Sequence, residues 1–148
     1  MNIRFLKPVI GIVILLISVS CKVEPTAIEF GKDQCSFCVM NIIDKTHAAQ
    51  YVTLKGKQFK FDAIECMAND LTEKPDLELA FMLVSDYGNP GKMIEAKTAT
   101  FLISPEIKSP MGANLSAFSS KEKALETQQK HTGKIYTWSA LKLKYSDN

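Results

Sequence analysis

Residues 48–71 read AAQYVTLKGKQFKFDAIECMANDL, and the hydrophobic period changes within this stretch. The first part alternates apolar with polar residues and is rich in β-branched and aromatic types. Gly56 and its two lysine neighbours interrupt it, which predicts a hairpin. After Asp62, apolar residues recur at helical spacing, at Ile64, Met67 and Leu71. We therefore predict two antiparallel strands followed by a helix, with Asp62 as the helix N-cap.

The same order of elements recurs in the second half of the chain. LELAFMLVSDY, from Leu77, predicts a central strand that completes a ββαβ unit. Four later segments predict strand, strand, helix and strand: ATFLIS (99–104), NLSAFSS (114–120), KEKALETQQKHT (121–132) and KIYTWSAL (134–141). We therefore predict an α+β fold of two ββαβ units, with halves of about 34–90 and 91–148. The sequence leaves open whether the halves arose by duplication or use a common pattern independently.

The N-terminal segment has the features of an export signal. Residues 1–20 combine a basic start with an apolar run too short to span a bilayer, and small residues precede Cys21. This pattern predicts a lipoprotein signal peptide with Cys21 as the lipid anchor; an ordinary secretory cleavage site is the alternative. Residues 21–33 lack periodicity and are expected to be a tether to a domain at 34–148. We expect the protein to be lipid-anchored to a bacterial membrane, facing the periplasm or the cell surface.

The charge distribution disfavours nucleic acid as a partner. The formal net charge of the whole chain is +2, and Arg4 and Lys7 lie in the predicted signal peptide, so the remainder carries a net charge of 0. Arg4 is the single arginine, and the lysines are scattered among acidic residues. No basic track for a phosphate backbone is present in this pattern.

Residues 35–40, CSFCVM, place three sulfur-containing side chains within one short run. If the backbone at Val39 is extended, the side chains of Cys38 and Met40 project to the same side. A thiolate beside a thioether favours Cu(I), a soft ion that needs few ligands. Burial would explain a lone methionine in an apolar run, but it explains this combination of sulfurs less well. We predict Cys38 and Met40 as Cu(I) ligands, with Cys35 as a further candidate.

Two residues outside the run are candidates for the remaining ligand positions. Met111 lies between Pro110 and Gly112, in a loop where burial does not readily explain a methionine. His47 is a candidate fourth ligand or a neighbour of the ligands; the alternative is an exposed histidine at a strand edge. Cys66, in the middle of the predicted helix, is expected to be a small buried hydrophobic residue.

Three other functions compete with a Cu(I) site. Zinc needs four ligands, and the Cys35/Cys38 pair has no second pair of the same kind in the sequence. A thiol-disulfide oxidoreductase using Cys35 and Cys38 is the main alternative, although the β-branched residues that follow do not predict the helix that activates such pairs. A lipoprotein scaffold with incidental sulfurs is the third. The sequence shows no P-loop, G-x-G-x-x-G or Ser/His/Asp motif, so we do not expect an enzyme.

The order of the motifs CSFCVMNIID, HAAQYVTLKGKQFKFDAIECM, VSDYG and SPMGANLSAF resembles the NosL family of nitrous-oxide-reductase accessory lipoproteins. The resemblance implies a Cu(I)-binding chaperone that delivers copper to the ABC-type maturation complex of nitrous oxide reductase. It also implies a fold of paired ββαβ units. The C-x-M motif of the family falls on Cys38 and Met40, and its later methionine falls on Met111. Cys35 belongs to a C-x-x-C-x-M variant of that motif.

Overall fold

Two antiparallel sheets and three helices form within residues 22–146, the part of the chain that the computed structural model describes. The first sheet and its helix comprise β1 (Ala49–Thr53), β2 (Gln58–Phe61), α1 (Ile64–Thr72), β3 (Leu79–Ser85) and β4 (Met93–Glu95). The second half contributes β5 (Thr100–Ile103), β6 (Leu115–Phe118), α2 (Lys121–His131), β7 (Lys134–Thr137) and α3 (Trp138–Ser146). The predicted α+β fold with two ββαβ units is confirmed. The predicted signal peptide and Cys21 lie outside the described residues.

Each half folds around its own sheet. The strand order is β2-β1-β3-β4 in the first sheet and β6-β5-β7 in the second. In the first sheet, Tyr51 of β1 pairs with Phe59 of β2 on one side and with Met82 of β3 on the other. Gly56 turns the predicted hairpin with a φ of 82°, a backbone conformation that glycine adopts without the strain of a Cβ atom.

Backbone hydrogen bonds and a shared hydrophobic core join the two halves. A parallel bridge connects Asp86 to Ala117, and the Tyr87 N–H donates to the Ala117 carbonyl over 2.8 Å. One hydrophobic core also contains fully buried side chains from both halves, including Phe61 of β2 and Phe101 of β5. Loops from the two halves are therefore held in a fixed relation to each other.

The end of the second unit differs from the prediction. Residues 138–141 were expected to extend the last strand, but they begin α3, so this expectation is wrong. The Thr137 Oγ1 accepts a hydrogen bond from the Ala140 N–H over 3.3 Å, which caps the helix start. Trp138 and Leu141 lie one helical turn apart and are both buried. Their burial against the core outweighs the β-rich character of the preceding residues.

Residues 24–33 lie along the edge strand β2. Lys60 of β2 donates through Nζ to the Ala27 carbonyl and to Asp33 Oδ2, each over 2.7 Å, and Gln58 Nε2 donates to the Glu24 carbonyl over 2.9 Å. The division into a tether at 21–33 and a domain at 34–148 stays a prediction. Within residues 22–146, none of the helices combines the length and the apolar character needed to cross a membrane.

Candidate metal centre

The sulfur run forms a closed turn rather than an extended segment. The Cys35 N–H donates to the Met40 carbonyl over 2.8 Å, and the Val39 N–H donates to the Cys35 carbonyl over 3.0 Å. Val39 has a φ of 65°, in the left-handed region that β-branched residues rarely adopt. The extended backbone, which was the condition for placing Cys38 and Met40 on the same side, is therefore not present at Val39. Cys38 is half-buried, whereas Val39 and Met40 are exposed.

Three thiols and one carboxylate meet below this turn. The Sγ atoms of Cys35, Cys38 and Cys66 and a carboxylate oxygen of Asp62 all lie within 4.8 Å of one another. Cys66 comes from the first turn of α1, and Asp62 lies between β2 and that helix. The sulfur run is held against the end of β2, because the Ser36 N–H donates to the Lys60 carbonyl over 2.7 Å. Cys66 is buried as expected, but its thiol also belongs to this cluster.

The Asp62 carboxylate binds the thiols instead of capping the helix. The N-cap of α1 is Ala63, with no side-chain cap bond, so the predicted capping role of Asp62 is wrong. Asp62 Oδ1 accepts hydrogen bonds from Cys38 Sγ over 3.5 Å and from Cys66 Sγ over 3.4 Å. A buried carboxylate requires such partners, and Asp62 is almost completely buried.

The three thiols differ in acidity. The hydrogen bond from Cys66 lowers the pKa of Cys35 to about 6, and burial raises the pKa of Cys38 to about 11. The pKa of Cys66 is also raised, chiefly by its hydrogen bond with the Cys35 sulfur. Cys35 is therefore the first of the three to become a thiolate. A soft metal ion entering the cluster would displace the remaining protons, because metal-bound cysteine is deprotonated.

A depression beside the cluster is lined by Met40 and by the residue that precedes Met111. A depression of about 220 Å³ is lined by six residues: Met40, Asn41, Ile43, Asp44, Asp62 and Pro110. Asp62 belongs to both the depression and the thiol cluster, and Pro110 directly precedes Met111 in the chain. Met40 is 51% exposed and Met111 is 44% exposed. The structure thus brings the loop around Met111 from the second half to the mouth of the thiol cluster.

Glu65 fixes the loop that carries Met111. Its Oε1 atom accepts hydrogen bonds from Ser109 Oγ and, over 3.3 Å, from the Ala113 N–H. The Ser109 hydroxyl oxygen in turn accepts from the Asn114 N–H over 2.8 Å. Glu65 is buried and directly precedes Cys66 on α1. One carboxylate of the cysteine-bearing helix therefore sets the position of the distant methionine loop.

Sequence reasoning missed Asp62, Glu65 and Cys66 as parts of the centre. One signal was available, since Asp62 and Cys66 are four residues apart and a helical backbone brings such residues to the same face. The missing information was tertiary, because nothing in the sequence places the 35–40 turn against this face.

His47 lies apart from the cysteine cluster. Its Nδ1 lies 2.6 Å from Asp44 Oδ2 and 2.8 Å from Thr46 Oγ1, and its Nε2 lies 3.1 Å from Ser116 Oγ. Both ring nitrogens therefore have partners within the protein. The alternative expectation, an exposed histidine at a strand edge, is wrong because His47 is buried.

Asp44, His47 and Ser116 have the connectivity of a hydrolase triad, which the sequence did not indicate. Ser116 is 0% exposed, so a substrate carbonyl cannot reach its hydroxyl. The nucleophile of a triad must contact its substrate directly. These three residues therefore join the start of β1 to β6 and do not form a catalytic site.

The donor set bears on two alternatives from the sequence. Three thiols and a carboxylate supply the four ligands of a tetrahedral zinc site, so the sequence argument against zinc does not hold. The geometry disfavours a thiol oxidoreductase: the acidic thiol, Cys35, is 2% exposed, while the more accessible Cys38 has a raised pKa. Attack on a disulfide requires an accessible thiolate, so the burial of Cys35 works against this alternative.

Comparison with known proteins concerns the fold and the family of the chain. The chain is similar to the crystal structure of the copper chaperone NosL from Shewanella denitrificans, with a TM-score of 0.68 and 21% sequence identity, over 80% of this chain and 95% of that one. No curated protein sequence gives a significant match. The family model described as NosL matches residues 25–146. Because this match covers most of the sequence, the chain belongs to the NosL family.

Proposed function

We propose that this protein is a Cu(I) carrier that holds the ion as cargo between its thiol cluster and the thioethers of Met40 and Met111. The observation that carries the proposal is the convergence of three thiols at one point, beside a depression lined by Met40 and by Pro110, the neighbour of the exposed Met111. Soft sulfur donors select Cu(I) over ions that prefer oxygen. Membership of the NosL family and the likeness to a copper chaperone support the same reading.

The arrangement suits transfer better than storage. Cys38 is the half-buried member of the cluster and lies within the same short turn as the exposed Met40. Buried thiolates bind Cu(I) tightly, whereas neutral thioethers at the surface exchange readily with an incoming ligand. In the metal-free protein, Asp62 accepts hydrogen bonds from the thiols of Cys38 and Cys66 and thereby orients them. The incoming ion displaces the protons of these thiols. None of these steps requires a catalytic base, so we propose a carrier rather than an enzyme.

The proposal also covers the recipient of the copper and the location of the protein. The family resemblance supports an ABC-type maturation complex and nitrous oxide reductase as the recipients of the copper. The segment before Lys22 supports attachment to a bacterial membrane through a lipid on Cys21. A carrier tethered in this way would remain at high local concentration beside a membrane-bound recipient.

The test is an anaerobic Cu(I) titration in competition with bathocuproine disulfonate, followed by X-ray absorption spectroscopy of the loaded protein. We expect a tight complex with only sulfur neighbours around copper. Met40→Leu and Met111→Leu should each weaken binding, because leucine keeps the volume of methionine but removes the sulfur donor. Met82→Leu is the matched control, since Met82 is a buried core methionine on β3.

Three outcomes would contradict the proposal in whole or in part. A copper shell of nitrogen and oxygen alone would exclude the sulfur centre. Preferential binding of Zn²⁺ by three sulfurs and one oxygen, with no tight Cu(I) complex, would make the cluster a zinc site. Retention of full copper affinity in both methionine variants would remove the thioethers from the site.

A further inference from the structure

The exposed apolar side chains of this protein are concentrated around the metal centre. Within residues 22–146, eight large hydrophobic side chains are exposed, and five of them belong to the 35–43 segment or to the Met111 loop: Phe37, Val39, Met40, Ile43 and Met111. We propose that these five residues, the docking face, bind an apolar surface of the protein that accepts the copper. This inference rests on the proposed function and adds the surface through which transfer takes place.

The route of the ion identifies what covers the docking face. Cys35 is 2% and Cys66 is 1% exposed, so the cysteine side of the centre is closed to an incoming ligand. The thioether side is open, and direct ligand exchange requires a donor atom of the acceptor to reach coordinating distance of the ion. An acceptor in that position necessarily covers the apolar side chains around Met40 and Met111.

The charges near the docking face favour an apolar partner. The Asp44 carboxylate is engaged by Thr46 and His47, and the Lys45 ammonium lies 5.7 Å from the centre of the Phe30 ring. Asp62 is buried beneath the face. The five side chains of the face are themselves uncharged, and the carboxylates of Asp44 and Asp62 have partners within the protein, so a strongly basic surface would gain little from them. Association through this face should depend only weakly on ionic strength.

The backbone of Val39 supports this reading. Its left-handed conformation directs a β-branched apolar side chain into solvent, where the isolated protein gains nothing from it. Such conformations cost about 1–3 kcal/mol and persist at sites where they serve a function. Burial of the Val39 side chain against an acceptor would offset the energetic cost of this conformation.

The test compares transfer with binding in the full-length protein loaded with one Cu(I). Ile43→Asp places a charge on the docking face without removing a sulfur. The acceptor probe is apo nitrous oxide reductase with its ABC-type maturation complex, and the rate of copper transfer is followed by stopped flow. We expect transfer to slow at least about tenfold, the effect of losing one well-buried interface contact. Extraction by bathocuproine disulfonate is measured on the same variant, and the ratio of the transfer rate to the extraction rate should fall, because a small chelator does not need the face.

Matched variants separate a local effect from a general one. Leu143→Asp introduces the same charge at a similarly exposed leucine of α3, 67% exposed against 72% for Ile43, and should transfer at the wild-type rate. Ile43→Leu should also transfer at that rate. Ile43→Asn provides an uncharged polar variant if the aspartate disturbs the turn, and it should slow transfer as well.

The outcomes distinguish this inference from the function on which it rests. If Ile43→Asp and Ile43→Asn transfer copper as fast as the wild type, the docking face is not the interface. If the variants lose binding to phosphatidylcholine vesicles but keep transfer, the face contacts lipid and the inference is overturned. If the wild-type protein binds Cu(I) tightly but delivers none to this acceptor, the proposed delivery fails instead.

Discussion

The helices α1 and α2 hold equivalent places in the two ββαβ units, but they begin in different ways. α2 starts after Phe118, and its N-cap Ser120 accepts a hydrogen bond from the Lys123 N–H over 3.3 Å. α1 starts after Phe61 and has Ala63 as its N-cap, with no side-chain cap bond. The carboxylate of Asp62, which could have capped α1, binds two thiols instead. The first unit therefore lacks a side-chain bond at the start of its helix, because the available carboxylate belongs to the sulfur centre.

The two helices also differ in the side chains that they bury. α1 buries six side chains, among them the chemically distinctive Glu65 and Cys66, whereas α2 buries Ala124. α2 lies on the outside of its sheet and contributes mainly to stability. Substitutions in α1 should thus change the chemistry of the centre, and substitutions in α2 should change only the free energy of unfolding. The following predictions test that difference, from the largest expected effect to the smallest.

Removal of the α1 sulfur should have the largest effect. Cys66→Ser keeps a hydrogen-bond donor for Asp62 but removes a soft ligand from the cluster. We expect Cu(I) affinity to fall by about 100-fold, at the upper end of the effect of changes around metal sites. Competition with bathocuproine disulfonate measures it. Unchanged affinity would mean that the Cys66 thiol serves only to orient Cys35 and Asp62.

The bond between α1 and the Met111 loop should matter next. Ser109→Ala deprives the buried Glu65 carboxylate of a donor, which should lower the free energy of unfolding by about 2 kcal/mol. Urea denaturation of the metal-free protein measures this change. Thr127→Ala, at a half-buried position of α2 whose hydroxyl donates to the Lys123 carbonyl, is the control and should have a smaller effect. A loss of stability no greater than that of Thr127→Ala would show that Ser109 and Glu65 are not coupled.

An exchange between the two helix starts should weaken copper binding moderately. Asp62→Ser gives the first unit the Phe-Ser sequence found at Phe118 and Ser119 in the second. We expect Cu(I) affinity to fall about tenfold, because the thiols lose the carboxylate that orients them. The reciprocal variant, Ser119→Asp, should leave copper affinity unchanged. Equal affinity in wild type and Asp62→Ser would contradict a role for the carboxylate in metal binding.

Loss of the α2 cap should have the smallest effect. Ser120→Ala removes the one side-chain bond to the first turn of α2, which typically costs about 1 kcal/mol of stability. Thermal or urea unfolding would detect this change, and the copper affinity of the variant should equal that of the wild type. A loss of copper affinity in Ser120→Ala would show that the two units are not separable in this way.

The order of the elements could be predicted because it depends on local hydrophobic period. The hairpin around Gly56 and the helix after Phe61 are both confirmed in place. The backbone at Val39 could not be predicted, because the intrinsic preference of valine is extended and the turn is imposed by bonds from Cys35 and Met40.

The residues that form the metal centre could be predicted only in part from the sequence. The dense spacing of sulfurs in residues 35–40 indicated a soft metal, and the structure places Met40 and the Met111 loop at the mouth of one cluster. Asp62 and Cys66 were assigned ordinary roles in a helix, as an N-cap and a buried residue. Their meeting with Cys35 depends on contacts between segments about 25 to 30 residues apart, which no local pattern encodes.

The junction at Asp62, where the turn of the first unit meets the Met111 loop of the second, also bears on how long the protein survives. An ion bound at this junction ties the two units together and adds stability according to its occupancy, about 2.7 kcal/mol at a free concentration one hundred times the dissociation constant. Proteases cut chains that open transiently, so the loaded form should be degraded more slowly than the empty form. The abundance of the protein would then follow the copper supply without any regulator of its synthesis.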